Sequence, residues 1–163
     1  MHAVVSLDGR FVLADQVARA ALGRGGVRAD KREGDGATPT GLLALRRVLY
    51  RADRGARPDC AVPSEPLAPD DGWCDDPAHP DYNRKIRLPH PAGHEALWRA
   101  DALYDLIGVL GWNDSPPVAG RGSAIFLHVA RPDYAPTDGC VALSAPDLRR
   151  VLALGLTGIE VRA

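Results

Sequence analysis

Two residues able to act as a nucleophile and its base stand close together late in the sequence. His128 ends the apolar run Ser123-Ala124-Ile125-Phe126-Leu127-His128, and Cys140 lies in Thr137-Asp138-Gly139-Cys140-Val141-Ala142-Leu143. They are 12 positions apart (140 − 128), a separation that a hairpin-like connection spans. A cysteine within reach of an imidazole can ionise near neutral pH, and the thiolate is the attacking species. His128 would take the thiol proton and later return one to a leaving amine. Gly139 lets the backbone turn tightly, so that amide N–H groups around Cys140 face a developing oxyanion. Taken singly, each residue has a plainer use: a histidine closing an apolar strand is most often a hydrogen-bonded core residue, and a lone cysteine is a small buried hydrophobe. Zinc is a third use of such residues, but no Cys-x-x-Cys pair accompanies them. Cys60 and Cys74 lie in loops without matching neighbours and read as structural or incidental.

The elements that must position this pair are short. Ala3 to Leu7, Phe11 to Leu13 and Val17 to Leu22 are β-type runs closed by Gly- or Asp-containing breaks, so the chain opens as a meander. Leu42 to Tyr50 fits both helix and strand, and its Val-Leu-Tyr end favours strand. Ala102 to Trp112 and Ser123 to Val129 are nearly continuous apolar runs, the pattern of strands buried on both faces. The clear helix is Ser144 to Gly155: Ser144 caps, Asp147 completes a capping box, Leu148, Val151 and Leu152 share a face, and Gly155 stops it. Gly158 to Arg162 reads as the last strand. The expectation is a mainly β, α+β domain with one principal helix.

Between them, Ala52 to Pro91 is too dense in proline for long regular elements. A loop of that length inside a compact domain is usually functional or disordered. Trp73 and Tyr82, set beside Asp75, Asp76, Asp81 and Arg84, favour a binding wall. Both aromatics are then expected to be buried and to line the same concavity as His128 and Cys140.

Length and charge narrow the function. The 163 residues suit one domain, 1–163, with its own core. With Lys plus Arg at 20 against Asp plus Glu at 21, the net charge of −1 gives no footprint for nucleic acid or an anionic membrane. The first residues lack the basic and apolar regions of a signal peptide, and no segment approaches a membrane span, which predicts a cytoplasmic protein. An odd cysteine count leaves at least one free thiol, suited to reducing cytosol. No metal or organic cofactor is expected, and composition leaves the oligomeric state open.

His128 to Leu143 resembles the signature of the L,D-transpeptidase (YkuD-like) family, a histidine at a strand end followed by Ser/Thr-x-Gly-Cys-Ile/Val. A second block within Leu22 to Gly41, ending Gly34-Asp35-Gly36-Ala37-Thr38-Pro39-Thr40-Gly41, resembles that family's upstream Gly-x-x-x-Thr-Pro-x-Gly segment; read alone, it is a surface turn. The resemblance implies a mixed β-sandwich with the Cys/His site at the end of the sheet, Cys140 as nucleophile, His128 as base and Gly139 beside them, with Thr137 and Asp138 near the substrate. It implies a peptidoglycan stem peptide or muropeptide as substrate, and a thioester formed at the third stem residue with loss of terminal D-alanine. Ala142 stands where most members have arginine, and Val129 where they have glycine. Arg84, Arg121 or Arg131 is expected to supply the substitute guanidinium. Signal-less relatives with Gly-Cys-Val/Ile-Ala are associated with L,D-carboxypeptidase activity, which makes hydrolysis the favoured outcome. Crosslinking transpeptidation and a catalytically idle peptide-binding domain are the alternatives.

Overall fold

The computed structural model describes residues 1–163. The chain opens with β1 (His2–Val5), β2 (Arg10–Leu13) and β3 (Gln16–Ala21), an antiparallel meander. Two short strands, β4 (Val27–Arg28) and β5 (Thr38–Pro39), pair with each other before the long β6 (Gly41–Tyr50). Then come β7 (Ser64–Pro66), β8 (Asp71–Cys74), β9 (Lys85–Arg87), β10 (His94–Ala96) and β11 (Leu106–Leu110). The chain finishes with β12 (Phe126–Val129), β13 (Val141–Leu143), the helix α1 (Ala145–Ala153) and β14 (Gly158–Val161). It is mainly β with one helix, as the run lengths predict.

Nine strands form one sheet in the order β11-β12-β13-β3-β2-β1-β14-β6-β7. β6 is long enough to pair with β14 through residues 41–44 and with β11 through residues 45–50, so the order closes on itself. β12 and β13 run parallel in the middle of this arrangement, with His128 opposite Ala142. Alternation along β12 sends Leu127 and Val129 into the larger core and Phe126 into the smaller one, so His128 faces the same side as Phe126. Every residue of β11 and β12 is buried, which is why their sequences read as unbroken apolar runs.

The helix caps the larger core. Leu148, Val151 and Leu152 are fully buried on one face, each contributing about 1.5–3 kcal/mol of apolar burial. Ser144 Oγ accepts from the Asp147 N–H at 3.3 Å. The predicted reciprocal half of the capping box does not form: Asp147 accepts from Arg150 at 2.9 Å instead, an i,i+3 pair on the exposed face. Proline limits the 52–91 segment to three short strands, and β8 joins β9 and β10 in a separate three-stranded sheet. No helix is long and apolar enough to cross a membrane.

Candidate active site

Cys140 and His128 are brought together by the parallel pairing of β12 with the segment entering β13, both on the Phe126 side of the sheet. They line one cavity of about 570 Å³ and are only 7% and 6% exposed. The Phe126 N–H donates to Cys140 Sγ at 3.4 Å, and the thiol donates to Ala124 O at 3.3 Å. His128 Nδ1 lies 2.8 Å from Val129 O, a carbonyl that can only accept, so Nδ1 carries the proton and Nε2 holds the basic lone pair. The Tyr104 ring packs edge-on against the imidazole, with centroids 5.4 Å apart, and its hydroxyl donates to Glu95.

Burial decides the resting protonation. It pushes the Cys140 thiol up to about 12, with the charge of Glu95 adding and the Phe126 N–H opposing. It lowers His128 to about 4, with the Val129 bond opposing and Arg99 and Arg131 adding. At neutral pH the pair therefore rests as thiol and imidazole. The thiolate expected from proximity alone does not stand ready, because burial opposes the charged form of both groups.

The loop before the cysteine is built from backbone contacts. Gly139 has φ +131, and a Cβ there would lie 2.6 Å from Ala37 O. A Cβ on Gly23 would fall 2.2 Å from Gly36 O and 3.0 Å from Gly139 Cα. The upstream 34–41 block is thus packed directly under the cysteine loop, and Gly34 and Gly36 line the cavity. Thr137 Oγ1 donates to Cys140 O at 2.7 Å and accepts from the Gly139 N–H at 3.1 Å, so this side chain staples the loop. The Gly139 N–H is thereby occupied. The Cys140 N–H has no partner in the protein and is the amide of this pair able to meet an oxyanion. Asp138, at the rim, pairs with Arg24.

The expected guanidinium set divides. Arg131 lines the cavity, together with Arg99 and Arg24, which the sequence did not single out. Arg84 lines a second depression with Arg46 and Lys85. Arg121 is outside the cavity, on a turn held by Trp112 Nε1 donating to Arg121 O at 2.9 Å. Ala142, 1% exposed, faces the cavity opposite His128, so the position that carries arginine in most family members is reduced here to a methyl group.

Trp73 and Tyr82 are both buried, but neither lines the cavity, which corrects the expected wall. Both are held behind it. Trp73 packs edge-on against Phe126 at 5.0 Å, and its Nε1 donates to Asn83 Oδ1 at 3.0 Å. Asn83 Oδ1 also accepts from the Ala124 N–H at 3.1 Å, and its Nδ2 donates to the carbonyls of Trp112 and Asn113. This buried amide holds Ala124, the residue whose carbonyl receives the Cys140 thiol. Tyr82 donates to Glu33 Oε1 at 2.7 Å and accepts from the Gly122 N–H at 2.9 Å. The loop's own cavity-lining side chain is Asp75, with His94 and Glu95 just beyond it.

One cluster elsewhere has metal-ligand chemistry. Donor atoms of His79, Asp81 and His90 gather within 4.8 Å of one another. Yet His79 Nδ1 accepts from the Asp81 N–H at 3.0 Å and His90 Nδ1 from the Ala92 N–H at 3.1 Å. A neutral imidazole has one lone pair, so neither ring has another to offer, and His90 Nε2 donates to Asp81 at 3.0 Å. The residues staple their own loop and do not fit a metal.

No curated protein and no solved structure matched this chain. The sequence model of the L,D-transpeptidase catalytic domain, YkuD, matches residues 2–161. A family of cysteine-dependent enzymes with peptidoglycan peptides as substrates accounts for a buried cysteine and a lone-pair-bearing imidazole on one wall of a peptide-sized cavity, and this chain belongs to that YkuD family.

Proposed function

We propose that this protein is an L,D-carboxypeptidase that removes the terminal D-alanine from a peptidoglycan stem tetrapeptide, with Cys140 as nucleophile and His128 as base. The observation that carries the choice of hydrolysis is the single cavity of about 570 Å³ over two side chains that are each less than a tenth exposed. That is room for one small ligand, on the usual scale of ~300–1,000 Å³. A second stem would have to enter the same space with the acyl group in place, whereas water needs almost none.

The chemistry starts from neutral groups. The Cys140 thiol passes its proton to His128 Nε2 as sulfur attacks the carbonyl of the third stem residue, and the Cys140 N–H meets the oxyanion. The imidazolium gives that proton to the departing amine of D-alanine, leaving a thioester. Water then attacks the thioester, His128 takes one of its protons, and the thiol reforms as the tripeptide carboxylate leaves. Arg131, which makes no ion pair in the protein, is suited to the carboxylate of the terminal residue.

The test is incubation of the purified protein with a stem tetrapeptide and its disaccharide form, followed by mass analysis. Tripeptide and free D-alanine are the expected products. A crosslinked dimer would replace hydrolysis by transpeptidation, and recovery of unchanged peptide would remove the catalytic assignment.

A further inference from the structure

A lysine is buried in the wall of the catalytic cavity and takes no part in the chemistry described above. The Lys31 side chain is 3% exposed, and its Nζ donates to Asp35 Oδ1 at 2.8 Å and to Arg32 O at 3.2 Å. Burial pushes the Asp35 carboxyl up, but the Lys31 ammonium and the Arg32 and Ala37 N–H groups outweigh it and hold the group at about 2, so the carboxylate is ionised at neutral pH. A buried ion pair seldom adds net stability, because desolvating both charges offsets their attraction, and an apolar pair of similar volume commonly does as well. Stability alone therefore does not account for this pair.

The pair touches both halves of the cradle that holds Cys140. On one side, Asp35 Oδ1 also accepts from the Ala37 N–H and Oδ2 from the Arg32 N–H, each at 2.8 Å, so the turn from Lys31 to Ala37 is wound around one carboxylate. Ala37 O is the atom against which Gly139 is packed. On the other side, the lysine stem lies along Gly122, where an added Cβ would meet Lys31 Cε at 3.0 Å. Gly122 stands two residues before Ala124, whose carbonyl receives the Cys140 thiol. The Gly122 N–H donates to Tyr82, and Tyr82 donates to Glu33 of the same turn. One side chain thus joins the turn beneath the cysteine loop to the segment that accepts from the sulfur.

Charge reinforces this placement. Burial raises the Cys140 thiol, Glu95 in β10 adds to it, and Lys31 is the cation that opposes them. The other titratable groups turned into the cavity around Cys140 are His128 in β12 and Tyr104 before β11, both neutral at pH 7, while Asp138 is paired at the rim with Arg24. Attack by sulfur passes through an anion, which a nearby cation favours. Because Asp35 holds the ammonium in place, that charge needs no reorganisation when the anion forms.

We propose that Lys31 is a positioning residue for the reaction at Cys140: its buried ammonium, fixed by Asp35, locks the 31–37 turn under the cysteine loop and sets a permanent positive charge in the cavity wall it shares with the sulfur. This rests on the proposed function only in taking Cys140 as the reacting group. Lys31 acts through the cysteine and its loop, with no contact to the peptide required.

The experiment reads the sulfur directly. Iodoacetamide modification is followed from pH 7 to 10 by mass analysis of the Cys140 peptide, so that Cys60 and Cys74 do not contribute, on the wild type, Lys31→Met and Asp35→Asn. Lys31→Met keeps the apolar stem and removes the charge, and its Cys140 is expected to react about 10-fold more slowly at each pH, the scale of one unit charge acting through protein. Asp35→Asn keeps the ammonium and removes the compensating carboxylate, and its Cys140 is expected to react at least as fast as in the wild type. A pair that only braces the turn predicts a different pattern, since both substitutions loosen the same turn and shift the rate in the same direction. Rates in Lys31→Met equal to or above those of the wild type, or a fall shared by both variants, overturn the assignment. If Lys31→Met does not fold, Lys31→Met with Asp35→Asn is compared with Asp35→Asn alone; the same 10-fold fall is expected, and equal rates overturn the assignment. Turnover of a stem tetrapeptide by Lys31→Met is expected to lose a similar factor in kcat, and a loss wholly in KM overturns the assignment by marking Lys31 as a substrate contact. A wild-type protein that turns over no stem peptide while the alkylation rates keep this order overturns the hydrolase and supports the role of Lys31.

Discussion

At the scale of single residues, what matters is how deeply Cys140 and His128 are buried. A thiol held at about 12 by burial reacts slowly with alkylating agents at neutral pH. Iodoacetamide modification of Cys140 is expected to accelerate continuously from pH 7 upward without a plateau below pH 10; a plateau near pH 6 to 7 would show a standing thiolate. In the catalytic assignment, Cys140→Ala and Cys140→Ser each abolish turnover while leaving the thermal melt in place, because an alkoxide beside His128 is a far poorer nucleophile than sulfur. His128→Ala is expected to lower kcat/KM by about 10² or more, the contribution of a positioned acid-base group. Activity persisting in both cysteine variants would require another nucleophile.

Strands and loops decide whether those residues meet. Gly139→Ala forces a methyl group against Ala37 O, at a φ that L residues rarely adopt, and nothing flexible stands in the way to yield. It is expected to cost about 1–3 kcal/mol of stability and most of the activity, measured by urea unfolding and turnover. Asn83→Ala leaves Trp73 Nε1, the Ala124 N–H and two carbonyls without their partner, and should cost about 3 kcal/mol or more. A loss below about 0.5 kcal/mol would mean that water replaces the amide. Asn83 also marks the limit of reading this site from sequence. The Cys140 loop, His128 and the helix follow local patterns, a glycine turn, an apolar run and a 3.6-residue period, and these are legible. Glu95 is placed by strand pairing with a distant segment, and Glu33, Asp75 and Asn83 by single backbone hydrogen bonds to other segments, which leaves no local period to find. Trp73 and Tyr82 are buried, as expected, but an aromatic beside a cavity and one behind it have the same sequence signature. Arg84 is expected from the sequence as a guanidinium for the cavity, but Arg84 and its neighbour Asn83 both line the second depression.

The whole molecule inherits a pH dependence from the histidine. His128 titrates at about 4 in the folded protein against about 6.5 unfolded, so the unfolded chain binds more protons between those values. Its contribution to stability is present above about pH 6.5 and is lost as the pH falls towards 4, on the order of 3 kcal/mol in all. Urea midpoints measured from pH 7 to 4.5 are expected to fall, and His128→Asn should flatten that part of the curve. An unchanged slope in the variant would assign the acid sensitivity to other groups.

The closed order of the sheet has a bearing on how the protein is made. β14 lies between β1 and β6, pairing His2 to Val5 on one side and Gly41 to Ala44 on the other. Both neighbours are complete by residue 50, but β14 is not synthesised until residues 158–161. At about 5–20 residues per second the nascent chain carries two unpaired strand edges for roughly 5–20 s. Ribosome-bound intermediates arrested before residue 158 are therefore the species in which chaperone capture, or edge-to-edge association of neighbouring chains, would concentrate.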